Sequence, residues 1–154
     1  MLQLVIFLAT IAPVIQGSIR VLQAQGYKVT RPRRQVLGVL EEAQKSLSPY
    51  DIQKVLRQRG EYLNHVTIYR ILNLFCRLNL AHKVLSAGGF VKCTLDNKEG
   101  CHRLLVCRCC GALQEFADDE LCQRERKLAQ NSGFHTEYHL SESLGICSDC
   151  SKKQ

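Results

Sequence analysis

Cys107-x-x-Cys110 and Cys147-x-x-Cys150 are the residues of this chain whose type and spacing do most to define a chemistry. Each pair can chelate one tetrahedral ion from a tight turn, and Gly111 follows the first knuckle where the backbone must bend. Four thiolates in that arrangement select zinc, close its coordination sphere and contribute to folding directly. A disulfide scaffold is the competing reading of nine cysteines, but their number is odd and all lie at or beyond Cys76. A redox C-x-x-C of the thioredoxin kind would need only one of the two pairs. The stretch "CHRLLVCRCCG" at 101–111 also holds Cys101, His102 and Cys109, more candidates than one zinc can use.

The elements that must position these side chains divide the chain in two. "SIRVLQAQGYKVTRPRRQVLGVLEEAQ" reads as two helices, the first stopped at Gly26 and the second entered through Thr30 and Pro32. "SPYDIQKVLRQRG" reads as a third, with Ser48 as N-cap, Pro49 in the first turn and Gly60 as its stop. In "NHVTIYRILNLFCRLNLAHKV", Ile68, Ile71, Leu72, Phe75 and Leu78 form one apolar helical stripe, leaving Tyr69, Arg70, Asn73 and Arg77 off it. "AHKVLSAGGFVKCTL" is a β-hairpin turning at Ala87-Gly88-Gly89. Helices closed by a hairpin describe a winged helix-turn-helix, which places a polar helix face in the major groove. After it, "RLLVC" and "ALQEF" read as strands around the first knuckle and "DDELCQRERKLAQNSG" as a helix capped by Asp118. "FHTEYHL" alternates as a further strand. The predicted fold is α+β: a winged helix over 18–84, then a small α/β unit over 85–154 carrying the four-cysteine structural zinc.

Charge follows the same division. Residues 18–83 carry twelve Lys/Arg against four Asp/Glu, a net of +8, whereas residues 84–154 carry nine against ten. A basic half joined to a near-neutral half rich in metal ligands points to a polyanionic partner for the first. The apolar run "MLQLVIFLATIAPVIQG" over 1–17 lacks the positive start of a secretory signal and the length of a membrane span. It is expected to be an extra helix or a start-site artefact, with an unusual signal as the remaining alternative. A cytoplasmic location without a membrane partner is expected. Neither a nucleophile–base–orienter set nor a phosphate loop is present, so no enzymatic activity is expected.

On "GYKVTRPRRQVL", "SPYDIQ", "VTIYRILNLF", "AHKV", "CRCCGALQEF", "GFHTEYHL" and "GICSDC", taken in order, the chain resembles the ferric uptake regulator family and, within it, the zinc uptake regulators. The resemblance covers roughly residues 18 to 150. It implies a homodimeric, metal-dependent repressor that binds a palindromic operator in double-stranded DNA. It also implies that Tyr50, Tyr69 and Arg70 approach DNA. An arginine can pair with guanine and a tyrosine ring can pack on a thymine methyl, while Thr67, Lys28, Arg33 and Arg34 are placed for phosphates.

The resemblance further implies a regulatory zinc site that bridges the two halves, with His82, Cys93, His102 and Glu115 in its four positions. Cys101 competes with His102 for the third. Two nitrogens, a thiolate and a carboxylate suit tetrahedral zinc, and the thiolate argues against ferrous iron or manganese. Where many members carry His-x-His before the first knuckle, this chain has Leu104 at the second position. An auxiliary site in altered form would fall on Cys101, Cys122 and His139, with free buried thiols as the alternative. Cys76 and Cys109 are left without a task. The sequence thus predicts a zinc-sensing repressor of zinc-uptake genes. Its rivals are an iron-, manganese- or peroxide-responsive member of the family and, in a different class, a zinc-ribbon interaction module or thiol redox protein.

Overall fold

The computed structural model describes residues 15–95, 101–136 and 140–153. A helix over 15–24 (α1) leads into α2 (Arg31–Glu42), α3 (Pro49–Gln58) and α4 (His65–Arg77). Strands β1 (Ala81–Val84) and β2 (Gly89–Lys92) form an antiparallel hairpin. A three-stranded sheet of order β4-β3-β5 follows, built from β3 (His102–Cys107), β4 (Leu113–Ala117) and β5 (Leu140–Gly145). Helix α5 (Asp119–Asn131) connects β4 towards β5, and α6 (Ser148–Ser151) closes the described chain. No helix among the described residues is long and apolar enough to cross a membrane.

The helical half is held by one apolar core. Val36, Leu37, Val39 and Leu40 of α2, Ile52 and Leu56 of α3, and Ile68, Ile71, Leu72, Leu74 and Phe75 of α4 are buried together with Leu22, Leu80 and Phe90. Truncating a ring as central as Phe75 costs about 3–5 kcal/mol. Helix α3 begins with a reciprocal capping box: the Ser48 hydroxyl accepts from the Asp51 amide at 3.2 Å, and the Asp51 carboxylate accepts from the Ser48 amide at 2.9 Å. Helix α4 is entered through Asn64, whose side chain accepts from the Thr67 amide at 2.8 Å, so Thr67 lies in the first turn behind the cap. Asn79 takes a left-handed conformation (φ 50°) just past α4, which ends the helix and turns the chain into β1.

The hairpin is fastened to the helices. Leu47 exchanges two backbone hydrogen bonds with Phe90, at 2.9 and 2.8 Å. A Cβ at position 89 would come within 3.0 Å of the Leu47 amide nitrogen, which is why glycine sits there. The boundary expected at residue 84 falls inside this hairpin, since β2 pairs with β1 from Ala81↔Lys92 to Val84↔Gly89 and Phe90 joins the helical core. A second, smaller core spans the two halves, with Val84 and Val91 from the hairpin against Leu104, Val106 and Leu113 from the sheet.

One strand is displaced from its expected position. Residues 134–136 of "FHTEYHL" are not in a strand and 137–139 lie outside the described residues; β5 is "LSESLG". Its parallel register with β3 runs from His102↔Leu140 to Cys107↔Gly145. Alternation alone marks several segments as strand-like, and pairing with β3 selects the one that delivers Cys147 beside Cys107.

Candidate metal centres and DNA-facing helix

The four knuckle cysteines converge, their sulfurs all within 4.8 Å of one another and none joined to another as a disulfide. Backbone geometry explains the convergence. Gly111, at φ 73°, donates its amide to the Cys107 carbonyl at 2.9 Å, and the Arg108 amide bonds to the Gly145 carbonyl at 2.9 Å, which lays the first turn against the second. The Cys147 amide reaches Cys107 Sγ at 3.3 Å, and Cys110 Sγ lies 3.7 Å from Cys147 Sγ. Sulfurs about 2.3 Å from a tetrahedral zinc would stand about 3.8 Å apart. Backbone N–H groups of Cys110 and Cys147 pull the Cys107 thiol down to about 6, while hydrogen bonds with the Cys147 and Cys110 sulfurs push Cys150 up to about 12. Cys107 therefore ionises more readily than Cys150.

The second cluster is His82, Cys93, His102 and Glu115, again within 4.8 Å. His82 comes from β1 and Cys93 from the end of β2, whereas His102 opens β3 and Glu115 lies on β4. The four ligand atoms thus link the hairpin to the sheet. Cys93 Sγ lies 3.6 Å from His102 Nδ1 and 3.4 Å from Glu115 Oε1. Glu115 Oε1 also lies 2.6 Å from His102 Nδ1 and 2.7 Å from His82 Nε2.

The histidine side chains and the carboxylate are almost wholly shielded from solvent. Despite its proximity to the carboxylate, His82 Nε2 makes no hydrogen bond of acceptable geometry. The two atoms thus lie close without bonding to each other, as two ligands of one metal would. The sulfur distances lie near the roughly 3.3–3.8 Å edges of a tetrahedral site, whereas the nitrogen–oxygen distances of 2.6 and 2.7 Å are shorter than such an edge. The residues present fit a zinc ion.

Burial disfavours the imidazolium of His82, but the adjacent Cys93 thiol and Glu115 carboxylate favour it more strongly and raise His82 to about 9. Burial opposes ionisation of Glu115 in turn, and the two histidines together with the Thr94 amide overcome it, so its carboxyl lies far below the usual carboxylate range. Thr94, which the sequence reading passed over, donates both its amide (2.6 Å) and its hydroxyl (2.9 Å) to Glu115 Oε2. That fixes one oxygen and leaves Oε1 to face the cluster. Glu142 was likewise missed. From β5 it accepts the Leu85 amide at 2.8 Å and the Ser86 amide at 3.0 Å, holding the hairpin turn to the sheet. Adjacency to Cys93 was a signal for Thr94; nothing in the sequence marks Glu142.

Strand alternation separates the residues crowded at 101–104. His102 and Leu104 face the hairpin, while Cys101 and Arg103 face α5. His102, not Cys101, stands in the second cluster. Cys101 is joined to Cys122 as a disulfide, with Cα atoms 5.8 Å apart, and His139 lies outside the described residues. Of the auxiliary triad expected from Cys101, Cys122 and His139, the first two are thus brought together as a sulfur pair, and the third is outside the described residues. Cys109 is exposed, and Cys76 is half-buried within α4, where desolvation pushes its thiol up to about 11.

On the helical half, Tyr69 (44% exposed) and Arg70 project from α4 to solvent, and Tyr50 (63% exposed) stacks on His65 at 4.8 Å at the start of the same helix. Tyr69 meets Phe90 edge-on at 6.2 Å, which orients its ring without burying it. Lys28 and Arg34 are exposed. The Arg33 guanidinium instead donates to the Lys28 carbonyl and covers the Tyr27 ring at 5.6 Å, and Thr67 is half-buried with its amide on the Asn64 cap.

Residues 24–143 match the model of the ferric uptake regulator family, about three quarters of the chain. The chain belongs to the ferric uptake regulator family. Its members are metal-dependent DNA-binding transcription regulators, not enzymes. Among curated relatives of this family member, the ferric uptake regulation protein of Neisseria gonorrhoeae is 32% identical over 138 residues, spanning 89% of this chain and 95% of its own. That of Legionella pneumophila is 34% identical over 130 residues, spanning 84% and 95%. In fold, the chain is similar to a zinc uptake regulator complexed with zinc and DNA, with a TM-score of 0.85 at 23% identity, over 94% of this chain and 97% of the other. Holo XcZur gives 0.80 at 24% identity, over 90% and 96%, whereas apo XcZur gives 0.52.

Proposed function

We propose that this family member is a zinc-responsive repressor that binds palindromic operators as a homodimer and controls zinc-uptake genes. The observation that carries the metal assignment is the Cys93 thiol in a cluster otherwise made of His82, His102 and Glu115. Ferrous and manganous sites favour oxygen and nitrogen donors, and a buried thiolate shifts preference towards zinc. Cys107, Cys110, Cys147 and Cys150 would hold a second, structural zinc. The likeness to zinc uptake regulators supports the reading, and the naming of the curated relatives favours iron as its rival.

Bound zinc supplies a tetrahedral centre that can be satisfied only when hairpin and sheet are docked. His82 and Cys93 travel with the winged helix and His102 and Glu115 with the sheet, so the docked arrangement binds metal better and its population rises with zinc. Docking sets the angle at which α4 leaves the second half, and in a dimer that angle governs whether two recognition helices reach successive major grooves. Arg70 and Tyr69 read bases in this account, Tyr50 packs beside them, and Lys28 and Arg34 contact phosphates. Arg33 and Thr67 act indirectly, by shaping the approach to α2 and the first turn of α4. The exposed Leu105, Leu128, Phe134 and Leu144 of the second half support a self-association surface there.

The test is selection of duplexes from a random pool at buffered Zn(II), followed by titration of the selected duplex in buffered Zn(II), Fe(II) and Mn(II). Wild type should respond to zinc at the lowest free metal concentration, and Cys93→Ser should lose that preference. An equal response to iron and zinc, or an unaffected Cys93→Ser protein, refutes the zinc assignment.

A further inference from the structure

Helix α5 is unusual in how little holds it to the sheet. Of its thirteen residues, Cys122 alone is buried, while Leu121 and Leu128 are exposed. Two attachments to the entry of β3 lie side by side. Cys101 is bonded to Cys122, and the Arg103 guanidinium lies 2.5 Å from Glu125. The spacing is that of an extended segment meeting a helix face, with residues 101 and 103 at the entry to β3 and residues 122 and 125 on α5. The Arg103 side chain is 7% exposed, and its charge is matched by the Glu125 carboxylate.

We propose that Cys101 and Cys122 are a reversible redox pair whose disulfide locks α5 to the back of β3, one residue from His102, and so strengthens metal retention by the His82/Cys93/His102/Glu115 cluster. The coupling rests on the assignment of that cluster as the sensing site; the cross-link itself does not. Both sulfurs are buried, at 2% and 4% residue exposure, so the oxidant is a small two-electron one such as a hydroperoxide. One thiol takes oxygen from the peroxide to give a sulfenic acid and releases the first product, water in the case of hydrogen peroxide. The second thiol displaces hydroxide from that sulfur, forming the S–S bond and a water. Two thiols are oxidised by two electrons as one peroxide bond is reduced. In a reducing compartment such a link is transient and reports oxidant level rather than serving as a permanent staple.

The direction of the coupling follows from the geometry. The cross-linked state is also the one in which His102 Nδ1 stands 2.6 Å from Glu115 Oε1 with Cys93 at 3.6 Å, so the link and the assembled cluster are compatible. Reduction frees α5 and with it the entry to β3, which widens the positions open to His102. Coupling between sites of this kind is typically about 5–150-fold in affinity.

The experiment uses the full chain loaded with zinc, treated with hydrogen peroxide or with dithiothreitol and then desalted. Alkylation of the denatured protein should find two fewer free thiols after peroxide, restored by dithiothreitol. Peptide mapping should join Cys101 to Cys122, with cleavage before Asp118 and Asp119 separating Cys122 from Cys109 and Cys110. Zinc release to a chelator from the second cluster should be at least about fivefold slower in the oxidised form, and Cys122→Ser should release at the reduced rate under both treatments. Amide exchange across 119–131 in wild type, faster after reduction, gives a readout that needs no variant. The proposal is overturned by a full set of free thiols after peroxide, by a link elsewhere, by equal release rates, or by one more zinc per reduced wild-type chain than per Cys122→Ser chain. A His82→Ala chain that binds as much zinc as wild type refutes the sensing assignment and the coupling with it, while the mapped cross-link would still stand.

Discussion

Glu142 offers the sharpest test of how the two halves are held together. Its carboxylate receives the Leu85 and Ser86 amides at 2.8 and 3.0 Å, across 57 and 56 residues of chain, and both belong to the hairpin turn. A hydrogen bond to an ionised group contributes about 1.5–3 kcal/mol net, and partial exposure of this one argues for about 1 kcal/mol each. Glu142→Ala removes both bonds, about 2 kcal/mol, and Glu142→Gln keeps one acceptor oxygen and so removes about half of that. At about 1.4 kcal/mol per decade, the docked arrangement should lose roughly 30-fold and roughly fivefold in population.

Because metal and DNA are both read through docking, the same graded loss should appear twice. One assay is zinc affinity of the second cluster by competition with a chelator of known strength. The other is affinity for the selected duplex by fluorescence anisotropy at limiting zinc. Zinc at Cys107/Cys110/Cys147/Cys150 should stay in place throughout. If the alanine variant lies within twofold of wild type in both assays, the Glu142 contact does not stabilise docking and the reasoning fails. If glutamine costs as much as alanine, charge rather than the pair of bonds is what matters.

Other outcomes follow from the same geometry. Protons and zinc compete at His82. With its folded value raised to about 9 from an ordinary 6.5, the imidazolium stabilises the metal-free fold fully below about 6.5, and that contribution is lost as pH rises through about 9. Zinc affinity should therefore climb by at least about tenfold per pH unit towards 9, and calorimetry in buffers of different ionisation heat should detect proton release; a flat profile from pH 6.5 to 8.5 would exclude His82 as a ligand. Cys150→Ser should remove one zinc per chain and unfold the second half, since a structural zinc contributes about 10–16 kcal/mol; full zinc content in the variant would remove it from the site. Arg70→Ala should cost about 1–3 kcal/mol and relax discrimination at one base pair, whereas Arg34→Ala should weaken all duplexes alike and lower the salt slope by about one unit per chain. Binding titrations over a salt series tell the two apart.

The sequence by itself determined what depends on near neighbours. The Ser48 cap of α3, the apolar stripe of α4 and the two C-x-x-C knuckles are local patterns, and each reappears where its spacing placed it. Family register, itself a property of the linear order, carried His82, Cys93, His102 and Glu115 to one cluster. What only the tertiary structure decided are partnerships made across strands and halves. Cys101 and His102 are adjacent and chemically similar as ligands, and only the pleat of β3 sends one to α5 and the other to the hairpin. Strand β5 could not be chosen over "FHTEYHL" by alternation, because parallel pairing with β3 is a contact more than thirty residues away in sequence. Thr94 and Glu142 are ordinary polar residues until a folded backbone presents amides to one and a carboxylate oxygen to the other. Side-chain type specifies which chemistry is available; the register of non-local strands, which no local propensity encodes, specifies which atoms come within reach of each other.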